Sequence, residues 1–400
     1  MISKKKIEIS IKKFLYWKER FGDISYDRMD FWSSKLGIFS KKLFYKNKFI
    51  GSPLAIYGLL LENFLPSLQK YYGRPNHEVI GDANFSLGFL NLFEYSKDDK
   101  YIKEAKKFIN IIMQTYTNGY SGYCWGYSFG WQTRDGYWKA GIPLITITPY
   151  AFWAFKRYYE LTGNNEYKKI CLSIAEFAVN DLKITEMPNG TFCSSYSPSK
   201  KDVVINANAY RAALLLGSYQ LWNNKKFLNA ANKNIDFILS YQGENGEWFY
   251  EAKEPNNNFI DNFHTCFILK NLFKCYQFNK DNKILLAVQK GYNYYIENLF
   301  YKNNRPKHFS KSNYMKLRKY EMYDYAEGIL LGHLLRNHIS NAYERALWLA
   351  NDLIDNFQTT KGYFLTRVTS LNTKHKIPYL RWPQAQIFYA LTSLLKDYKK

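Results

Sequence analysis

The chain has 400 residues, of which 46% are hydrophobic and 22% charged, a balance that excludes a disordered or fibrous polypeptide. Five cysteines, an odd number with no Cys-x-x-Cys pair, exclude a disulfide-stapled scaffold and point to a reducing, cytoplasmic setting. The formal charge of +22 favours an acidic partner, and the 19% aromatic share is far above ordinary usage.

From the N-terminus, Met1-Ile-Ser-Lys-Lys-Lys is followed by no apolar run of signal-peptide length, because Lys12, Lys13 and Lys18 interrupt it. Residues 1–52 read as a helical or irregular extension packed on the main domain, which spans 53–400. The apolar stretch Leu54 to Leu65 is about 12 residues long and contains Glu62, short of the ~20 that cross a bilayer, so it reads as a buried helix. No transmembrane segment is expected, and membrane contact is at most peripheral.

A weak repeat of about 60 residues then organises the chain. Segments that are apolar all round begin near Ala83, Thr148, Asn206, Asp261, Tyr323 and Pro383. The first five are each followed, after a polar turn, by a helix with a one-sided apolar stripe. In the second, third and fourth pairs the stripes are Tyr167, Ile170, Ile174 and Phe177; Phe227, Ala231, Ile235 and Ile238; and Ile284, Val288, Tyr292 and Tyr295. Three- and four-residue steps bury one face only, so the striped helices belong outside and the all-apolar ones inside. Six inner helices at a fixed period predict an all-α, (α/α)6 barrel: a toroid of six helical hairpins. The sixth inner helix ends the chain without a partner, so residues 53–70 are expected to fill the missing outer place.

Connections within hairpins are short, whereas those leading into inner helices are long and rich in Gly, Trp and Tyr: 118–147, 182–205, 242–260, 299–322 and 358–382. Loops of that length in a compact domain are usually functional. Gly122 to Tyr127, Gly246 to Tyr250 and Gly362 to Leu365 alternate in a way that predicts small β-hairpins at one rim. All five loops meet the N-termini of inner helices, where the helix dipoles favour anions.

These features resemble the six-hairpin glycosidase superfamily, and within it the VpsJ-like bacterial proteins of capsule, lipopolysaccharide and exopolysaccharide biosynthesis. The resemblance rests on Tyr123-Cys-Trp-Gly-Tyr-Ser-Phe-Gly-Trp-Gln-Thr-Arg134, Thr146 to Tyr150 with Thr162-Gly163, Tyr196-Ser-Pro198, Ile205 to Ala209, Gly246-Glu-Trp248 and Ile260 to Thr265. It covers roughly residues 80–400 and implies work on a surface glycan. A looser likeness, through Thr148-Pro-Tyr150 and Arg381-Trp382, is to the helical domain of glucuronyl C5-epimerases.

Candidate site residues follow from loop position and chemistry. Tyr127, Trp131, Arg134 and Trp138 form an aromatic, basic rim, since aromatic faces stack on sugar rings and Arg forks onto carboxylates. Trp248, Tyr250, Arg381 and Trp382 repeat that device, and Asn206 and Asn208 either cap their helix or donate to sugar hydroxyls. Asp261 opens the fourth inner helix as an N-cap or a catalytic acid, with His264 one turn on as acid, base or donor. Asp135 with Asp261 is the first carboxylate pair for glycoside hydrolysis, followed by Glu251 and Glu321. For epimerisation or lyase cleavage, Tyr127, Tyr250 or His264 carries the proton and Arg134 or Arg381 holds the uronate.

Six histidines without metal-ligand spacing predict no metal, and the absence of phosphate-loop or dinucleotide motifs predicts no cofactor. No concentrated basic stripe suggests nucleic acid. The expected role is modification of an acidic oligo- or polysaccharide, or its lipid-linked precursor, by hydrolysis, lyase cleavage or epimerisation. A non-catalytic glycan-binding scaffold of a biosynthetic complex is the alternative.

Overall fold

Ile7, Ile11, Phe14 and Trp17 recur at three- and four-residue steps and are all buried, while Lys4, Lys5, Lys12 and Lys13 between them face water. That pattern makes Lys4–Phe21 an amphipathic helix, α1, started by Ser3, whose side chain accepts from the Lys6 amide. The computed structural model describes residues 2–134, 136–253, 258–313 and 317–398. After α1 come the short α2 (Asp30–Ser33), the hairpin of α3 (Lys35–Lys46) and α4 (Lys48–Phe64), and a 3-10 turn over Pro66–Tyr71.

From Val79 the expected repeat takes over. Helix pairs follow as α5 (Val79–Ser96) and α6 (Asp99–Gln114), α7 (Thr148–Thr162) and α8 (Asn165–Asn180), and α9 (Ile205–Trp222) and α10 (Lys225–Ser240). The series continues with α11 (Asn262–Asn279) and α12 (Asn282–Asn298), α13 (Met322–Leu335) and α14 (Ala342–Phe357), and the closing α15 (Ala385–Lys396). The odd-numbered members from α5 onward are the inner helices: Val79 to Leu92 of α5 and Ile205 to Ser218 of α9 are buried without a break. Every stripe residue of α8, α10 and α12 named above is buried, so the outer helices are one-sided as predicted. The architecture is the (α/α)6 barrel.

Four hairpins turn by one device. The inner helix ends on a residue in the left-handed region, Lys97, Gly163, Asn223 or Lys280, and the next side chain, Asp98, Asn164, Asn224 or Asp281, caps the outer helix. Two residues thus reverse the chain and satisfy one otherwise open amide at each outer-helix start.

The missing outer place is filled by α1, not by residues 53–70. Gly122 packs against Ser173 of α8 and Gly246 against Lys290 of α12, each loop glycine touching the next outer helix; Gly362 packs in the same way against Lys13 of α1. Phe14 stacks on Phe85 and Phe388 of the inner helices α5 and α15, so α1 shares their core. Sequence separation hid this pairing, because α1 and α15 lie at opposite ends of the chain. The boundary expected at residue 52 falls inside α4.

The Gly-aromatic stretches are packing plugs and not the hairpins expected of them. Trp125 and Trp248 are buried and donate their indole N–H to Ile112 and Ile238, at the ends of the preceding outer helices, and Phe364 is fully buried. Small sheets form elsewhere in the long loops: β1 (Trp131–Thr133) with β2 (Gly136–Trp138), and β3 (Ile184–Glu186) with β4 (Phe192–Ser194). Further on, β5 (Ile260–Asp261) pairs with β6 (Phe309–Lys311), and β7 (Arg318–Glu321), β8 (Arg367–Thr369) and β9 (Lys374–His375) form one sheet. All five cysteines are free and buried.

Candidate functional site

At the N-terminus of α11 one carboxylate does two jobs. Asp261 accepts from the backbone amide of His264 at 3.0 Å, which is the helix cap, and its two oxygens lie 2.9 and 2.8 Å from His264 Nδ1. Asp261 is 2% exposed, while His264 keeps part of its ring in contact with solvent. A carboxylate on Nδ1 holds the proton there and leaves Nε2 as the basic nitrogen. The imidazole is walled by Tyr250, edge-on at 4.7 Å, and by Phe263 at 4.2 Å.

A second imidazole–carboxylate pair stands beside the first, joined to it through the backbone. The amide of Asn262 donates to the carbonyl of His308, and the His308 ring places Nδ1 2.8 Å from Asp324, at the start of α13. His308 Nε2 faces Arg318 at 3.4 Å, so it accepts there and Nδ1 donates to Asp324. Burial pushes the Asp324 carboxyl up to about 6, even though His308 pulls it down.

Three guanidiniums and two carboxylates lie next to this pair. Arg367, fully buried, contacts Glu62 at 2.9 Å and Glu321 at 3.2 Å, and Arg318 contacts Glu321 at 3.1 Å. Arg28 approaches Glu62 at 3.6 Å and lies over the Trp382 ring at 5.0 Å. Burial raises the Glu321 carboxyl, but Arg367, Arg28 and Arg318 together hold it down at about 2, so it is ionised. Burial, with repulsion from Arg318 and Arg367, pushes the Arg28 guanidinium down to about 10. The three guanidiniums face Glu62 and Glu321 directly and Asp324 through His308, so positive and negative groups are packed together at this end of the barrel.

Aromatic rings line the space between these groups. Trp382 stacks face to face on Tyr323 at 3.6 Å, Phe263 meets both edge-on, and Tyr150 and Tyr210 share a hydroxyl contact of 2.7 Å. Buried Tyr210, Phe267 and Tyr323 form one aromatic cluster, with half-buried Tyr150, Phe263 and Trp382 packed against it. Among the described residues, no group of three or more His, Cys, Asp or Glu side chains is arranged to hold a metal ion.

The structure brings Asp261, His264, Tyr250 and Trp382 together, linked through Phe263, and sets Glu321 in the arginine cluster behind them. It sends other expected residues elsewhere. Arg381 is buried and grips Asp27 through two contacts of 2.6 Å, tying the N-terminal segment to the last inner helix. Trp248 is core, and Asn208 is spent on Ser194, Asn234 and the carbonyl of Val204. Asn206 is likewise 2% exposed, its side-chain oxygen enclosed without a partner. These four do not reach the mouth.

Trp131 and Trp138 stack on each other at 5.5 Å across the β1–β2 pair, and Tyr127 stacks on Phe129 beside Arg381. That rim is largely self-packed, with Arg134 exposed at its tip. Glu251 pairs with Lys253 at 2.7 Å. Asp135 lies outside the described residues.

Sequence reasoning missed Arg28, Arg318, Tyr323 and the pairing of His308 with Asp324. Arg28 sits in a segment read as an extension, and His308 is 16 residues from its partner with no periodic spacing to connect them. Asp324, in the first turn of an inner helix, was the one legible signal.

No protein-family model matches the chain, and no characterised protein matches it in sequence. Solved structures do match its fold. A sugar epimerase from a ruminal bacterium aligns with a TM-score of 0.61 at 13% identity, covering 80% of this chain and 88% of that one. The cellobiose 2-epimerase from Bacillus thermoamylovorans aligns with a TM-score of 0.60 at 11% identity over 78% and 86%. A mutant unsaturated glucuronyl hydrolase from Streptococcus agalactiae aligns with a TM-score of 0.59 at 11% identity over 100% and 92%. At such identities the likeness is one of fold: the six-hairpin architecture expected from the sequence is shared with these carbohydrate-active proteins.

Proposed function

We propose that the protein is an enzyme that moves a proton on an acidic sugar, by C5-epimerisation or β-elimination of a uronate unit. One observation carries this reading: the His264 imidazole is left with a basic nitrogen among aromatic rings, while Asp261, Asp324, Glu62, Glu251 and Glu321 each face a basic side chain and Glu78, at the start of α5, accepts from Ser128. Glycoside hydrolysis asks for two carboxylates across the scissile bond, one of them protonated. Proton abstraction beside a carboxylate asks instead for one base and a cation on that carboxylate.

In this reading Tyr250 and the edge of Trp382 flank the sugar, and the guanidiniums of Arg28 and Arg318 meet the uronate. His264 Nε2 takes the proton from the adjacent carbon, and the electron pair is delocalised into the carboxylate. A solvent-derived proton delivered to the opposite face inverts the centre; alternatively the His264 imidazolium protonates the departing β-oxygen, which leaves as an alcohol and gives an unsaturated product. The substrate class is an acidic oligo- or polysaccharide of surface-glycan biosynthesis, as polymer or lipid-linked precursor, handled in the cytoplasm. Two neighbours of the same fold are named as sugar epimerases, which fits this choice, and another as a glucuronyl hydrolase, so the test has to separate the two chemistries.

The test is turnover of uronate-containing oligosaccharides in deuterated water. Deuterium on the ring carbon of recovered sugar indicates epimerisation, and an ultraviolet-absorbing product indicates elimination. His264→Ala is expected to lower either rate by about a hundredfold or more. New reducing ends with neither signature, or full activity in His264→Ala, would sink the reading.

A further inference from the structure

The apolar residues of α4 are not where the sequence put them. Gly51, Gly58 and Leu61 are buried, whereas Ile56, Tyr57 and Leu60 are exposed, so the stretch expected to be a buried helix shows an apolar face to solvent. In α3 the pattern is the same: Gly37 and Ser40 are inside, and Leu36 and Phe39 outside. The two helices sit close because their contacts are small. A Cβ on Gly51 would lie 2.2 Å from the Phe44 backbone of α3, and one on Gly58 2.1 Å from the Phe31 ring of α2, which packs under the hairpin. A hairpin with small residues inside and large apolar ones outside is inverted relative to a water-facing element.

Its tip is the extreme case. Phe49 is 93% exposed and Ile50 63%, immediately after the turn at Asn47 and beside Lys46 and Lys48. Between Asp30 and Glu62 the sequence has five lysines, Lys35, Lys41, Lys42, Lys46 and Lys48, and no acidic residue. Lys41 turns inward over the Trp32 ring, but Lys42, Lys46 and Lys48 are exposed toward the tip, and an apolar wedge beside such lysines matches the interface of an anionic bilayer, where rings enter the acyl boundary and ammonium groups meet headgroups. No helix among the described residues is long and apolar enough to cross a membrane, so such an element lies on the surface.

We propose that the α3–α4 hairpin is a docking device for anionic membrane surfaces, inserting Phe49 and Ile50 between lysine–headgroup contacts. Helix α3 packs on β1, so docking brings the Trp131–Trp138 rim to the bilayer. The proposal does not depend on the uronate reading: vesicle binding and sugar turnover are separate measurements, and either fails alone.

Full-length protein is sedimented with vesicles of equal parts phosphatidylglycerol and phosphatidylcholine, and with pure phosphatidylcholine. Binding is expected on the anionic vesicles, weakened about tenfold or more by Phe49→Glu with Ile50→Glu, and also by Lys46→Glu with Lys48→Glu and by high salt. These side chains are exposed, so circular dichroism and thermal midpoints should be unchanged in both variants. Absence of binding to anionic vesicles, or binding indifferent to both variants, overturns the proposal. So does a dimer in solution that the Phe49 and Ile50 substitutions abolish while vesicles capture nothing, since a second copy would then be the occupant.

Discussion

Asp261 shows how much one side chain decides at this site. As a helix cap it needs only an acceptor oxygen, which asparagine supplies nearly as well. As the partner of His264 it needs a charge, which asparagine lacks. Asp261→Asn is therefore expected to leave the thermal midpoint close to wild type while lowering kcat by roughly tenfold to a hundredfold. Loss of stability in step with activity would mean that the cap is the residue's whole role. Arg367 is the opposite kind of residue. It touches no open space, yet it contacts Glu62 from α4 and Glu321 from β7 and so joins segments about 260 residues apart. Arg367→Met leaves two buried carboxylates short of a partner, and urea unfolding should show a cost of about 3–5 kcal/mol.

Among the elements, the outer helix α1 is held by a glycine it touches. Gly362 has φ of 104°, and a Cβ there would meet the Lys13 carbonyl at 2.2 Å. Gly119 has φ of 90° but nothing within 4 Å. Gly362→Ala is thus expected to lose about 1–3 kcal/mol more than Gly119→Ala in chemical denaturation, because only the first adds a backbone clash to the dihedral cost. Equal losses would mean that α1 moves aside freely and is no true member of the ring. The two-residue turns between inner and outer helices were legible beforehand, because Thr162-Gly-Asn-Asn165 and Asn223-Asn-Lys-Lys226 carry left-handed and capping residues in order. The Gly-aromatic stretches were misread as hairpins, since alternation over four or five residues cannot separate a strand from a loop whose rings plug a core.

For the whole molecule, the ionised cluster behind the site sets its response to acid. Glu321 titrates near 2, below the ordinary glutamate range, so its stabilising contribution is complete above about 4.5 and is lost as pH falls through that window toward 2. Thermal midpoints should fall along that limb, and the fall should flatten in Arg367→Met, where less shift remains to be lost; an unchanged limb would exclude the cluster as its cause. The sequence by itself determined the ring of six hairpins, because burial periodicity is written locally: a helix apolar on all sides has to be inside and a striped one outside. It also pointed to the loops at the N-terminal ends of the inner helices, where Asp261, His264, Tyr250 and Trp382 lie near one another, since loop length and helix polarity are local as well. Only the tertiary structure decided that α1 closes the ring, that Arg28 and Arg318 flank the site, that His308 meets Asp324, and that Arg381 and Trp248 turn inward. Those outcomes depend on contacts between residues far apart in the chain, and neither spacing nor composition records which distant side chain will satisfy a buried charge.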